Sequence, residues 1–417
     1  MLCGNSIGHA VWEQVDKGLE AMGQAPLTGL NVVEISMYVQ GPIAGEILAS
    51  LGAEVIKIEP VGSQDPWRTF AGIYGVELDQ EDADWVFAHM NRGKQCIAVD
   101  ITSDDGRPIF HALIKEADVF VSNLRGQALV EMGADADTLM ALNPRLVYAR
   151  GAGFGFVGDL AGDPCQDTVG MAYSGFMDMV STTDEPHYPP GALSDVATGT
   201  NLASAILAGL VKRGISGEGS VVGTSQVQTM MWLQTLGIGF AANLNKRMAR
   251  FDLEKAASPL LSIYPTSDGW ISIGAVSDGQ WRLVAETMEM GHLLDDERFS
   301  TLGQLIENTA DAVPLLTDRF REESTGHWWG LFRKAGIWVS PVNRYDELAT
   351  DPHVLENNYV VGYPDGSVGV PVPFDVDSFT GMRTTASAYG EDTDAVLTRL
   401  GYDETSLVDL RATGTIW

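Results

Sequence analysis

The 417-residue sequence predicts an α/β protein built on an open sheet, with a second, smaller domain inserted in the chain. Three observations carry this. Short β-branched runs alternate with helical patterns, which is the signature of βαβ units and parallel pairing. Glycine and proline breakers such as Gly41-Pro42, Pro60 and Asp105-Gly106 punctuate the runs. Between about 240 and 330 the alternation stops and amphipathic helices take over.

Leu30-Asn31-Val32-Val33-Glu34-Ile35 reads as a buried strand, and Gly41-Pro42 follows it. Ile43 to Leu51 has helical spacing closed by Gly52, and Glu54 to Glu59 is a second strand ended by Pro60. Strand, helix and strand within about thirty residues imply a right-handed crossover. Ile97–Ile101, Val119–Val121 and Leu146–Ala149 continue the strands; Pro108–Glu116 and Ala128–Met132 continue the helices. The run Gly151-Ala152-Gly153-Phe154-Gly155 reads as a crevice loop, since it departs from G-x-G-x-x-G. Val196–Lys212 is a helix of small apolar residues, and Ser220–Met231 a strand entering a helix. The domain expectation is 25–225 for the first part of the large domain, 240–335 for the small α+β domain, and 340–417 for a segment returning to the first.

Composition limits function. Lys and Arg total 26 against 56 Asp and Glu, a formal charge of −30. That balance argues against nucleic acid and anionic membranes, whose phosphates are held by basic residues. Cys3, Cys96 and Cys165 form neither a close pair nor a metal-ligand spacing. The first 23 residues lack a basic region followed by an apolar run, and no stretch approaches the roughly 20 apolar residues of a membrane span. A reducing, cytoplasmic setting is expected. The seven histidines show no ligand spacing, so no metal is expected, and no Ser sits in a G-x-S-x-G elbow.

Two carboxylates stand out by neighbourhood. Asp167 follows Pro164-Cys165-Gln166, and Asp195 stands between the turn Pro189-Pro190-Gly191 and the small-residue helix. Asp195 reads either as an N-cap or as a reactive carboxylate facing a crevice.

The chain resembles the class III (CaiB/BaiF) CoA-transferase family from about Leu27 onward. The resemblance rests on Leu51-Gly52-Ala53-Glu54-Val55-Ile56-Lys57-Ile58-Glu59, Asn91-Arg92-Gly93-Lys94, Asn123-Leu124-Arg125, Leu142-Asn143-Pro144-Arg145-Leu146-Val147-Tyr148, Tyr173-Ser174-Gly175 and Asp351-Pro352-His353. It implies a Rossmann-like large domain made by both chain ends, and an interlaced homodimer. It implies transfer of CoA from an acyl-CoA to a carboxylic acid, with Asp195 as the catalytic residue. Aspartyl anhydride and aspartyl-CoA thioester would be the intermediates, with CoA as substrate and no tightly bound cofactor. The helix that follows Asp195 would offer backbone N–H groups as oxyanion donors. CoA contacts are expected at Val39, Gln40, Lys94, Val99, Thr102, Asn123, Leu124, Arg125, Gln166 and Asp167. The phosphates would meet a basic patch drawn from Lys57, Arg92, Lys94, Arg125 and Arg150, because Glu131 and Pro60 replace basic residues of relatives.

Two other readings stay open. Racemase or isomerase chemistry at the acyl-CoA α-carbon is one, although Gln166 stands where the family's racemases carry His. An inactive CoA-binding protein is the other. Trp232, Phe240, Ile263 and Tyr264 hint at an acyl pocket, against core or dimer packing as the alternative.

Overall fold

The computed structural model describes residues 25–253, 256–377, 379, 381 and 384–417. The reading of the N-terminal 23 residues, and Cys3 with them, lies outside these.

The chain forms two compact units. Among the described residues, the first comprises 25–177, 188–238 and 352–417. Its sheet holds six strands: β1 (Asn31–Ile35), β2 (Glu54–Glu59), β3 (Lys94–Ala98), β4 (Val119–Ser122), β5 (Val147–Ala152) and β6 (Ser220–Ser225). Their spatial order is 3-2-1-4-5-6 and every pairing is parallel. That is the doubly wound order, whose switch point lies between β1 and β4 and opens a crevice at the strand C-termini. The strands are nearly continuous apolar runs because helices cover both faces. One core packs Val33, Ile97, Phe110 and Phe120 with Val396 and Leu410 from the C-terminal segment. The other packs Val32, Leu48, Val121 and Val147 against Leu202 and Ile206.

Helix α1 (Gln40–Ser50) starts three residues earlier than its apolar spacing predicts, and Gly52 follows it with φ 94°. Strand β3 begins at Lys94 and ends at Ala98; Val99 instead bridges to Ile416 of the C-terminal segment. Strand β5 runs on through Gly151 and Ala152, which the glycine pattern had suggested as loop. Those small residues serve close approach: a Cβ on Gly151 would lie 2.7 Å from Gln40 Oε1.

The second unit comprises 178–187 and 239–351. Its antiparallel sheet orders Trp338–Pro341, Trp270–Gly274 and Leu261–Pro265. Trp281, Trp328, Phe320 and Phe332 fill its core. It is larger than the expected 240–335, because Trp338–Pro341 is hydrogen-bonded into this sheet. It also takes in 178–187, whose Asp178 lies 2.7 Å from Arg250 Nη2.

No helix among the described residues is long and apolar enough to cross a membrane.

Candidate active site

The crevice at the switch point is a cavity of about 910 Å³, large enough for an extended cofactor-sized ligand. The segment after β1 and the segment after β4 meet across it. Asn123 accepts from the Met37 N–H at 3.1 Å and donates to the Met37 carbonyl at 2.8 Å. This amide clamp fixes the mouth between β1 and β4.

Val39, Gln40, Val99, Thr102, Asn123, Leu124, Arg125, Gln166 and Asp167 all line this one cavity, together with Asp195. Gln40 is buried and donates to the Ala152 carbonyl at 3.1 Å. Thr102 donates through N and Oγ1 to Asp100, at 3.0 and 2.6 Å, which shapes the turn after β3.

Lys94 is a correction to the sequence reading. Its ammonium is fully buried away from the cavity lining, 2.9 Å from the Glu34 carboxylate. Lys57 lies beside it, 3.3 Å from Glu34 and 3.0 Å from Asp65. A charge inside a parallel sheet must be paired, and these lysines neutralise each other's carboxylate partners. Burial opposes the Lys57 charge, yet Asp65, Glu34 and Glu59 hold its pKa above the usual value. Arg92 is also buried, stacked 3.8 Å over the Tyr363 ring. Of the expected basic patch, only Arg125 and Arg150 line the cavity. Arg150 Nε is buried without a hydrogen-bond partner, and its guanidinium lies 5.4 Å over the Phe156 ring. Glu131 bonds to Gln127 at 2.8 Å outside the lining, whereas Pro60 is part of it.

Asp195 sits in the first turn of α2, which runs Leu193–Ser216. It is not the N-cap. Ala192 takes that place with a left-handed φ of 55°, and Asp167 does the capping. Asp167 Oδ1 accepts from Ser194 N at 2.7 Å and Asp195 N at 3.2 Å. The Val196 N–H goes to the Ala192 carbonyl. The Ser194, Asp195 and Val196 N–H groups are therefore engaged within the protein, and in this arrangement these three do not point to a substrate oxyanion. Tyr74 Oη accepts from Ala192 N at 3.0 Å, from the turn of the hairpin Gly72–Ile73/Val76–Glu77. This hydrogen bond ties the hairpin to the start of α2.

The Asp195 carboxyl is pushed up to about 7, first by burial and then by the neighbouring Asp167 charge; a hydrogen bond from Gln226 Nε2 pulls the other way. Burial also raises Asp167 above the ordinary carboxylate range. Both carboxylates are thus harder to ionise than free ones, and both line the same cavity.

Two cavity residues beside the carboxylates were not among the sequence-predicted site residues. Gln226 stands at the start of α3 (Gln226–Leu233), directly after β6, and Cys165 lies just before Asp167. The signal for Gln226 was its place at a strand C-terminus, where such sheets build their sites. Trp232, Phe240, Ile263 and Tyr264 do not line the cavity; Tyr264 belongs to the second unit's core and Trp232 is exposed.

The model of CoA-transferase family III matches residues 27–393. The chain belongs to CoA-transferase family III. The CoA-transferase is 27% identical over 400 residues to human succinyl-CoA:glutarate CoA-transferase, covering 94% of this chain and 90% of that relative. An acyl-CoA transferase of Fusarium pseudograminearum is 29% identical over 412 residues, covering 94% and 89%. A CaiB/BaiF family protein from Brucella suis superposes with a TM-score of 0.80 at 27% identity, over 91% of this chain and all of that one. This enzyme is thus a class III CoA-transferase, acting on CoA thioesters and carboxylic acids.

Proposed function

We propose that the enzyme transfers CoA through Asp195, which acts as the nucleophile. The observation that carries this is a half-buried carboxylate with a raised pKa, held at the crevice beside Asp167 and Gln226. A carboxylate is a weak nucleophile in water; held against a bound thioester it gains a high effective concentration. An ionised Asp195 oxygen attacks the acyl carbonyl, the carbon–sulfur bond breaks, and CoA leaves as thiolate. The thiolate attacks the Asp195 carbonyl of the mixed anhydride and releases the donor acid as carboxylate. An aspartyl-CoA thioester remains. The acceptor carboxylate then runs the two steps in reverse, leaving Asp195 free and the acceptor as its CoA thioester.

CoA lies along the crevice in this reading, with Arg125 and Arg150 toward its phosphates and the thioester toward Asp195. Racemase chemistry gains no support, because the neutral amide of Gln166, bonded to Thr168, offers no acid/base partner across the α-carbon. A homodimer fits the exposed apolar residues Trp232, Leu233 and Leu236, which a partner copy would cover. Light scattering tests it: twice 44.9 kDa supports the dimer and 44.9 kDa overturns it.

The test of the mechanism is trapping. Incubation with succinyl-CoA and hydroxylamine should convert Asp195 to a hydroxamate, found by peptide mass. Asp195→Ala should abolish both the adduct and transfer to glutarate. Transfer at the wild-type rate in that variant would overturn the reading.

A further inference from the structure

We propose that Cys165 and Gln226 form a positioning relay for Asp195, in which the thiol fixes the direction of the Gln226 amide so that its NH2 end faces the carboxylate. The proposal rests on Asp195 being the nucleophile.

The geometry runs in one line. Cys165 Sγ lies 3.0 Å from Gln226 Oε1, and Gln226 Nε2 donates to Asp195 Oδ1. Gln226 is buried, at 3% exposure, so neither end of its amide can turn to bulk solvent. The site is cut to fit these two side chains. A Cβ on Gly170 would stand 2.7 Å from Gln226 Cβ and 2.8 Å from its Oε1. A Cβ on Gly153 would stand 2.1 Å from Cys165 Cβ. Both glycines keep open the space the relay occupies.

The chemistry follows from donor and acceptor count. A primary amide has a donor end and an acceptor end, and a flip exchanges them. With NH2 toward Asp195 the amide stabilises the ionised carboxylate. Flipped, it presents a carbonyl oxygen and suits only the protonated acid. A thiol that keeps its proton donates to the acceptor end and favours the first orientation. Burial and the charges of Asp195 and Asp167 push the Cys165 thiol up to about 11, so it remains a donor at neutral pH. The titratable groups bearing on Asp195 are Asp167, at the start of the helix Asp167–Tyr173, and Cys165; the hairpin's Tyr74 hydroxyl is engaged by the Ala192 N–H. The relay thus opposes the upward push of burial and of Asp167, and keeps a share of the nucleophile ionised near neutrality.

The test reads Asp195 directly. Full-length protein carrying [4-13C]aspartate is titrated by NMR, with the Asp195 signal assigned by its loss in Asp195→Asn. Cys165→Ala should raise the Asp195 midpoint by about half a unit to one unit, the size expected for one hydrogen bond. Gln226→Leu should raise it by at least as much. Cys165→Ser, which keeps a donor, should return it to the wild-type value. The kcat/KM profile with succinyl-CoA and glutarate should move in parallel. If the midpoints shift as stated while no variant or wild type transfers CoA, the functional reading fails and the relay stands. Identical Asp195 titrations in wild type, Cys165→Ala and Cys165→Ser overturn the relay.

Discussion

Asp167 Oδ1 accepts the backbone N–H of Asp195 at 3.2 Å, so one acid caps the helix that carries the other. The bond does two things. It satisfies helix N–H groups that would otherwise be orphaned. It also brings a second negative charge beside the first carboxylate, and like charges in a buried site hold a proton between them. Asp167 Oδ2 is buried and has no hydrogen-bond partner, so nothing on that side disperses the charge.

The proposed nucleophile, Asp195, must be ionised to attack, so the acidic limb of kcat/KM should rise with pH to a midpoint near 7. Asp167→Asn keeps an oxygen to accept both N–H groups but removes the charge. The limb should then move to lower pH, by on the order of one unit. Asp167→Ala loses the cap as well and should also lower stability, by about 0.5–2 kcal/mol in denaturant titrations.

Asp195 should cost stability where it is ionised. Its folded pKa is about 7 against an ordinary value of 3.8, so the folded state holds the proton more tightly than the unfolded chain. That contribution is complete below the unfolded value, is lost as pH rises toward 7, and stays lost above it. Asp195→Asn should therefore raise the melting temperature relative to wild type at pH 8 and leave the difference close to zero at pH 4. Thermal melts at the two pH values check this.

Arg150 is a half-buried cation lining the cavity, and its Nε has no hydrogen-bond partner among the described residues. A charge-assisted hydrogen bond contributes about 1.5–3 kcal/mol, which is roughly 10- to 100-fold in affinity. Arg150→Gln should weaken binding of acyl-CoA by that factor in calorimetry. Binding of an acyl-pantetheine, which lacks the nucleotide phosphates, should not change.

The Glu34, Lys57, Lys94 and Asp65 cluster should matter for folding alone. Glu34→Ala leaves two buried ammonium groups short of a carboxylate, a loss of about 3–5 kcal/mol. Gly45→Ala should destabilise as well, because its Cβ would lie 1.8 Å from Glu34 Oε2. Urea unfolding measures both, and the KM for acyl-CoA of the folded fraction should match wild type.

Much of this architecture is legible in the order of residues. The β-branched runs at 31–35, 54–59 and 119–122 mark the strands because burial on both faces favours apolar residues along most of each run. The breakers after them mark the crevice, and Asp195 is visible by its place before a small-residue helix. The blocks shared with the family carried the reaction class. Sequence could not tell a lysine that greets a phosphate from one that neutralises a buried glutamate. Lys57 and Lys94 read as ligands until β1, β2 and β3 were aligned and Glu34 came between them. Nor could it decide what capped α2, since Asp167 reaches Ser194 from 27 positions earlier in the chain. The Cys165–Gln226 pair spans 61 positions and depends on two glycines being small at one place. Local pattern determines which segments become strands and helices, because burial and backbone dihedrals are set by near neighbours. Charge, protonation and the partner of each polar atom are decided only by tertiary packing, since they depend on what the fold brings within about 3 Å.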